Sequence, residues 1–94
     1  MSTYNSREDL KEFSRIIKTI IFKHKTNPRR LCDEIGYKYG LKLGAFARYY
    51  YQQNVPSIQQ LWKVARSLSE LENIKAEYIY LELSIALENV KDKR

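Results

Sequence analysis

Glycine, proline and cysteine are scarce in this chain, and each shortage excludes a class of structure. Its 94 residues include three glycines and two prolines, and segments that alternate apolar and polar residues between turn signals are few. We therefore predict an all-α protein. The length suits a single domain, residues 1–94, with a modest hydrophobic core.

Groups that could carry out chemistry are equally scarce. The only cysteine, Cys32, excludes an intrachain disulfide and a cysteine-based metal site. The only histidine, His24, lies among lysines with no carboxylate or cysteine nearby in the sequence. No serine has the surroundings of a nucleophile elbow, and no glycine-rich phosphate loop occurs. The adjacent Asp33 and Glu34 would diverge by about 100° on a helix. We expect no enzymatic activity, no cofactor and no bound metal.

Long apolar runs are also absent. No run approaches the roughly 20 residues of a membrane-spanning helix. The polar N-terminus lacks the pattern of a secretory signal. We therefore expect no membrane partner and a cytoplasmic, nucleoid-associated location.

Positive charge is present in excess and is unevenly distributed. The formal net charge is +6. Residues 1–66 contain 13 Lys and Arg against 5 Asp and Glu, whereas residues 67–94 contain 4 against 6. A basic region of this size indicates a polyanionic partner, either nucleic acid or an anionic membrane surface. Charge that serves only solubility is the alternative.

Apolar residues at spacings of three and four predict a first helix from about Arg7 to about Lys25. Ser6 would cap this helix, and Asp9 would lie in its first turn. Its apolar stripe comprises Leu10, Phe13, Ile16, Ile17, Ile20 and Ile21. The opposite face is basic, so we expect the apolar stripe to pack against the rest of the chain and the basic face to lie in solvent.

Two signals predict the second helix and its end. Asparagine caps helices and proline fits the first helical position, so Asn27 and Pro28 mark a start. The helix should continue to Tyr39 and end at Gly40. Gly36 lies four residues earlier, where a small residue lets two helices cross closely.

Two further helices should follow. The third should cover residues 42–53 with Phe46 and Tyr49 in the core. After a loop at residues 54–56, the pair Ser57 and Gln60 is typical of a capping box. The fourth helix should bury the face formed by Ile58, Leu61, Trp62, Ala65 and Leu68.

The fifth helix should begin near Glu70, or near Ile74 if Asn73 is its cap, and reach about Val90. It has two apolar stripes. The first comprises Leu71, Ile74, Tyr78, Leu81 and Ile85, and the second comprises Ile79, Leu83, Ala86, Leu87 and Val90. One stripe can cover the core, and a second favours a partner. We predict a homodimer through Ile79, Leu83, Leu87 and Val90. The alternative is a helix covered on both sides by its own chain.

Residues 34–68 resemble the helix-turn-helix of the lambda repressor and Cro family (xenobiotic-response-element type). The matching positions are Ile35-Gly36, Gly40-Leu41, Phe46, Tyr49, Val55-Pro56-Ser57 and the segment 61–68. The resemblance implies a compact, five-helix, lambda-repressor-like domain with its helix-turn-helix at about 28–53 and a long C-terminal helix at about 70–90. It also implies a repressor-like transcriptional regulator that binds double-stranded DNA as a dimer.

If the third helix lies in the major groove, its outward face should carry Lys42, Ala45, Arg48 and Gln52. Arg48 is the best candidate to read a base, because its guanidinium can donate two hydrogen bonds to guanine. Phosphate contacts are expected from Tyr50, Tyr51, Gln53 and Asn54 at the far end, and from Arg29 and Arg30 with Lys23 and Lys25.

Two alternatives remain open. Leu43, Gly44 and Ala45 offer only apolar contact at the start of the third helix. This favours a helical protein-interaction module, or antirepressor, with a protein partner on the tyrosine-rich surface at residues 49–51. Non-specific nucleic-acid binding by the basic region is the other alternative, including stacking of the tyrosines on unpaired bases.

Overall fold

The structure is a computed structural model that describes the backbone of residues 10–92 and the side chains of residues 10–88. This part of the chain forms five α-helices and one 3₁₀ helix and contains no strand. The prediction of an all-α chain is confirmed. The elements are α1 (Lys11–Lys23), α2 (Pro28–Glu34), the 3₁₀ helix (Gly36–Tyr39), α3 (Leu43–Tyr50), α4 (Ile58–Glu72) and α5 (Ala76–Asp92).

Helix α1 is the centre of the fold, because it packs against α3, α4 and α5. The predicted apolar stripe is buried in full, from Leu10 to Ile21. The buried face also includes Ser14, whose hydroxyl donates a hydrogen bond to the main-chain carbonyl of Tyr50. The predicted start at Arg7 and the predicted cap at Ser6 lie outside the described residues.

The predicted continuous helix from Pro28 to Tyr39 is wrong, because the chain bends at Ile35 (φ −127°). Its start is as predicted, with the Asn27 side chain accepting a hydrogen bond from the backbone N–H of Arg30 at 2.9 Å. The 3₁₀ helix then brings Gly36 against Leu41. A Cβ on this glycine would lie 3.3 Å from the Leu41 Cβ, so the close approach favours glycine.

The ends of α1, the 3₁₀ helix, α3 and α4 share one turn geometry. Each has a left-handed residue, and these are Lys25, Gly40, Gln52 and Asn73, with φ between 53° and 77°. At every one, this residue donates its N–H to a carbonyl three residues back, and the next residue donates to one five residues back. This is the Schellman arrangement, which satisfies the last carbonyls of a helix. Only Gly40 is the residue type that this geometry prefers.

The ends of α3 and α4 differ from those predicted. Helix α3 ends at Tyr50, three residues early, because Gln52 turns the chain. Helix α4 continues to Glu72, past the predicted break near Glu70. Ser69 therefore caps no new helix, and its hydroxyl donates to the Arg66 carbonyl instead.

Two residues of the predicted core face of α4 are not fully buried. Ile58 is exposed, since it lies in the first turn before the helix reaches the core. Trp62 is half-buried. Its ring stacks on Tyr80 of α5 with 3.9 Å between ring centroids, and the Arg66 guanidinium lies over it.

The predicted roles of the two apolar stripes of α5 are reversed in the structure: the predicted dimerisation stripe is buried and the other stripe is exposed. The predicted dimerisation residues Ile79, Leu83 and Leu87 are 2%, 0% and 3% exposed, because they pack into the core of their own chain. Tyr78, Leu81 and Ile85 of the other stripe are 63%, 59% and 56% exposed. The side chain of Val90 lies outside the described residues.

Within the segment that the structure describes, no helix is both long enough and apolar enough to cross a membrane.

Candidate nucleic-acid interface

One face of helix α3 is buried and packs into the core of the chain. Phe46 and Tyr49 lie in the core as predicted. Tyr49 meets Phe13 of α1 edge to face at 6.3 Å between ring centroids, and burial raises its pKa. Tyr50 is also buried, which corrects its predicted place on a phosphate-contacting surface. Together with the hydrogen bond from Ser14, these contacts fix the orientation of the helix.

The exposed face of α3 differs in part from the predicted one. Arg48 and Lys42 are exposed, as predicted. Ala45 is half-buried and packs against the core, so its predicted outward position is wrong. Gly44 and Tyr51 are exposed instead, at spacings of four and three from Arg48. This follows from the helical period, since the face opposite Phe46 and Tyr49 must contain residues 44, 48 and 51.

The residues after α3 continue this surface. Gln53 and Asn54 are exposed, while Gln52 is half-buried and left-handed. Gln52 lines a groove of about 310 Å³ with residues of α1, among them Lys11 and Lys18. Gln52 is therefore directed toward α1, whereas the two residues that follow it face solvent.

The basic residues predicted to contact phosphate do not all carry uncompensated charge. Arg30 pairs with Glu34 at 3.3 Å, and Lys23 pairs with Glu72 at 3.0 Å. Arg29, Lys42 and Arg48 make no ion pair with any side chain of residues 10–88. Helix α2 packs directly on α3, so both helices border the same turn.

Lys63 of α4 is a candidate that the sequence did not identify. Its ammonium lies against the Gly40 turn, 3.7 Å from where a Cβ on that glycine would be. It thus adds a positive charge close to the turn that leads into Lys42. No sequence signal could show this, because the contact joins residues 23 positions apart on different helices.

Two glutamates of α4 connect this helix to earlier parts of the chain. Glu70 accepts hydrogen bonds from Lys38 and the Tyr39 hydroxyl at 2.6 and 2.7 Å. These two donors lower the pKa of Glu70, with Lys38 contributing most. The second glutamate, Glu72, accepts from His24 and Lys23. The tertiary structure thus gives His24 the carboxylate partner that its sequence neighbours lack.

Cys32, the only cysteine of the chain, is buried and not in a disulfide. Burial, and then the nearby Asp33, raise the pKa of the Cys32 thiol to about 11, so the thiolate is scarce at neutral pH. Among the described residues, no group of three His, Cys, Asp or Glu side chains could hold a metal ion.

Comparison of the chain with protein-family models, with curated proteins and with solved structures finds no significant match.

Proposed function

We propose that this chain is a repressor-like transcriptional regulator that binds double-stranded DNA as a homodimer, through a helix-turn-helix formed by α2, the 3₁₀ helix and α3. The observation that carries the proposal is the turn before α3. Gly40 is left-handed there (φ 77°), and Gly36 permits a close approach to Leu41. The turn of a helix-turn-helix often contains a glycine, and these two glycines supply a left-handed turn and a close approach ahead of α3.

The exposed face of α3 supports a role in the major groove. An α-helix with its side chains is about 10–12 Å in diameter, and the major groove of B-DNA, about 12 Å wide, admits one. Arg48 lies on this face without an ion-pair partner among residues 10–88. Its guanidinium could donate two hydrogen bonds to one guanine.

The surrounding groups fit the phosphate contacts that position a recognition helix. Lys42 lies at the start of α3, Lys63 lies beside the preceding turn, and Arg29 lies in the first turn of α2. Gln53 and Asn54 supply neutral donors at the other end. Each phosphate neutralised by a cation steepens the salt dependence of binding.

We expect Arg48→Ala to weaken binding to the preferred DNA site by about 1–3 kcal/mol and to relax the preference at one base pair, because a bidentate base contact is lost. Selection from random DNA, followed by titration at fixed salt, measures both effects. Lys75→Ala is the matched control, since it removes one positive charge at the α4–α5 turn. If Arg48→Ala leaves affinity and preference unchanged, this role for Arg48 is wrong.

A protein-interaction module is the second candidate, and one observation favours it. Tyr51, Val55 and Ile58 are exposed apolar residues that follow one another after α3, and such residues are common in protein interfaces. A salt series separates the possibilities. Sequence preference with a steep slope supports the regulator, and a steep slope without preference supports non-specific binding. Absence of binding at low salt leaves the interaction module.

A further inference from the structure

The outward face of α5 is an apolar surface that no side chain of residues 10–88 covers. Ile74, just before the helix, and Tyr78, Leu81 and Ile85 within it are exposed at spacings of four, three and four, which places them in one stripe. Aligned apolar side chains of this size are normally covered in a soluble protein. The stripe is bordered by Glu77 and Glu88, which make no ion pair within residues 10–88.

The outward face of α1 has the same spacing, and Lys11 and Lys18 give it the opposite charge, whereas Arg15 is paired with Glu12. Lys11, Arg15, Lys18 and Phe22 follow one another at spacings of four, three and four and border the groove of about 310 Å³ that also contains Gln52. Phe22 is exposed, and the Lys18 ammonium lies 5.3 Å from the centre of the Tyr50 ring. The lysine stems can cover apolar surface while their ammonium groups meet carboxylates.

The two faces lie next to each other. Arg15 and Thr19 border both the groove toward Gln52 and a second groove toward α5. Ile74 borders this second groove, and Ile85 borders its continuation. A single two-fold axis between α1 and α5 would therefore present both faces to a second copy at once.

We propose that two copies of this chain form a symmetric dimer in which the outward face of α5 in one copy packs on the outward face of α1 in the other. The contact occurs twice, as two-fold symmetry requires. Glu77 and Glu88 of one copy meet Lys11 and Lys18 of the other, and Phe22 extends the apolar contact. This interface does not depend on DNA binding.

A parallel pairing of α5 with α5 of the second copy is less favourable, because Glu77 and Glu82 flank the stripe on opposite sides and would meet across the pair. The contact of α5 with the lysines of α1 avoids this repulsion.

Charge reversal tests the proposal. Wild type should be dimeric at micromolar concentration in sedimentation equilibrium without DNA. The variant Lys11→Glu/Lys18→Glu and the variant Glu77→Lys/Glu88→Lys should each dimerise at least about tenfold more weakly, because each brings like charges together. An equimolar mixture of the two should form a heterodimer, since both contacts become complementary again. The chain with all four substitutions should recover the homodimer for the same reason.

Three outcomes would overturn the proposal: a strictly monomeric wild type, a Lys11→Glu/Lys18→Glu variant that dimerises like wild type, or no recovery in the mixture and the fourfold variant. Circular dichroism melting confirms that each variant is folded, which is expected because Lys11, Glu77 and Glu88 are exposed and Lys18 is only half-buried. Arg48→Ala should remain dimeric. A failure of DNA binding is therefore measured separately from a failure of this interface.

Discussion

At the scale of single residues, the three glycines have unequal roles. Gly40 has φ 77°, a conformation that an L side chain adopts only with strain. Gly36 leaves little room beside Leu41. Gly44, in the first turn of α3, has no atom within 4 Å of the position that a Cβ would occupy, leaving aside its chain neighbours and the backbone of its own helix. The fold therefore uses the first two glycines and does not need the third.

We expect Gly44→Ala to raise the free energy of unfolding by about 0.5–1 kcal/mol, because alanine loses less entropy on entering a helix. Gly40→Ala should lower it by about 1 kcal/mol or more, since the left-handed turn becomes strained. Urea denaturation followed by circular dichroism measures both values. Equal changes in the free energy of unfolding for the two substitutions would contradict the different roles of Gly40 and Gly44.

At the scale of the elements, ionic contacts join helices whose sequences are far apart. Glu72 at the end of α4 meets His24 and Lys23 at the end of α1, with distances of 2.9 and 3.0 Å. Hydrogen bonds from His24, and then from Lys23, lower the pKa of Glu72 below its ordinary value. A carboxylate with a lowered pKa stabilises the fold above its ordinary pKa. This contribution is lost as the pH falls through the lowered value.

Glu72→Gln should therefore reduce stability near neutral pH by about 0.5–1 kcal/mol, as expected for a partly exposed ion pair. The difference from wild type should shrink as the pH is lowered from neutral through the lowered pKa of Glu72, where this carboxylate becomes protonated. Thermal unfolding across this range measures the effect. Asp33→Asn is the control, because Asp33 is exposed on α2, outside the proposed dimer interface, and has no ion pair within residues 10–88. A constant difference at all pH values would refute this role for Glu72.

At the scale of the whole molecule, the proposed DNA binding through α3 and the proposed dimerisation through α1 and α5 both concern a dimer of this chain. One protomer measures 41 × 23 × 23 Å and presents one copy of α3. Two half-sites on one face of DNA lie about 34 Å apart, so a two-fold pair of protomers can engage both while a single protomer engages one. Dimerisation would then let two protomers, each of which binds one half-site weakly, bind the complete DNA site strongly.

Leu81→Glu should abolish the dimer, because it places a charge in the middle of the apolar stripe on α5. We expect affinity for a two-half-site fragment to fall at least about tenfold, while affinity for a single half-site changes little. Fluorescence anisotropy with both fragments measures the two values. An equal loss on both fragments would show that the substitution acts on the DNA-binding surface or on the fold.

The sequence alone determined the helical class, the stripe of α1, the start of α2 at Asn27 and Pro28, and the buried Phe46 and Tyr49. These features depend on local propensity and on helical spacing, which neighbouring residues specify. It also located the turn at Gly40, because glycine is the usual left-handed residue. It could not reveal the same turn at Lys25 and Gln52, whose residue types do not favour that geometry, whereas asparagine, as at Asn73, is the second most usual residue there.

The tertiary structure decided which faces are free. Both stripes of α5 are apolar and helically spaced, so periodicity could not tell that Leu83 enters the core and Leu81 faces solvent. That choice depends on how α5 docks on α1 and α4. The contact of Lys63 with the Gly40 turn and the pairing of His24 with Glu72 have the same origin. Each depends on the distance and orientation between elements far apart in the chain, which local spacing does not encode.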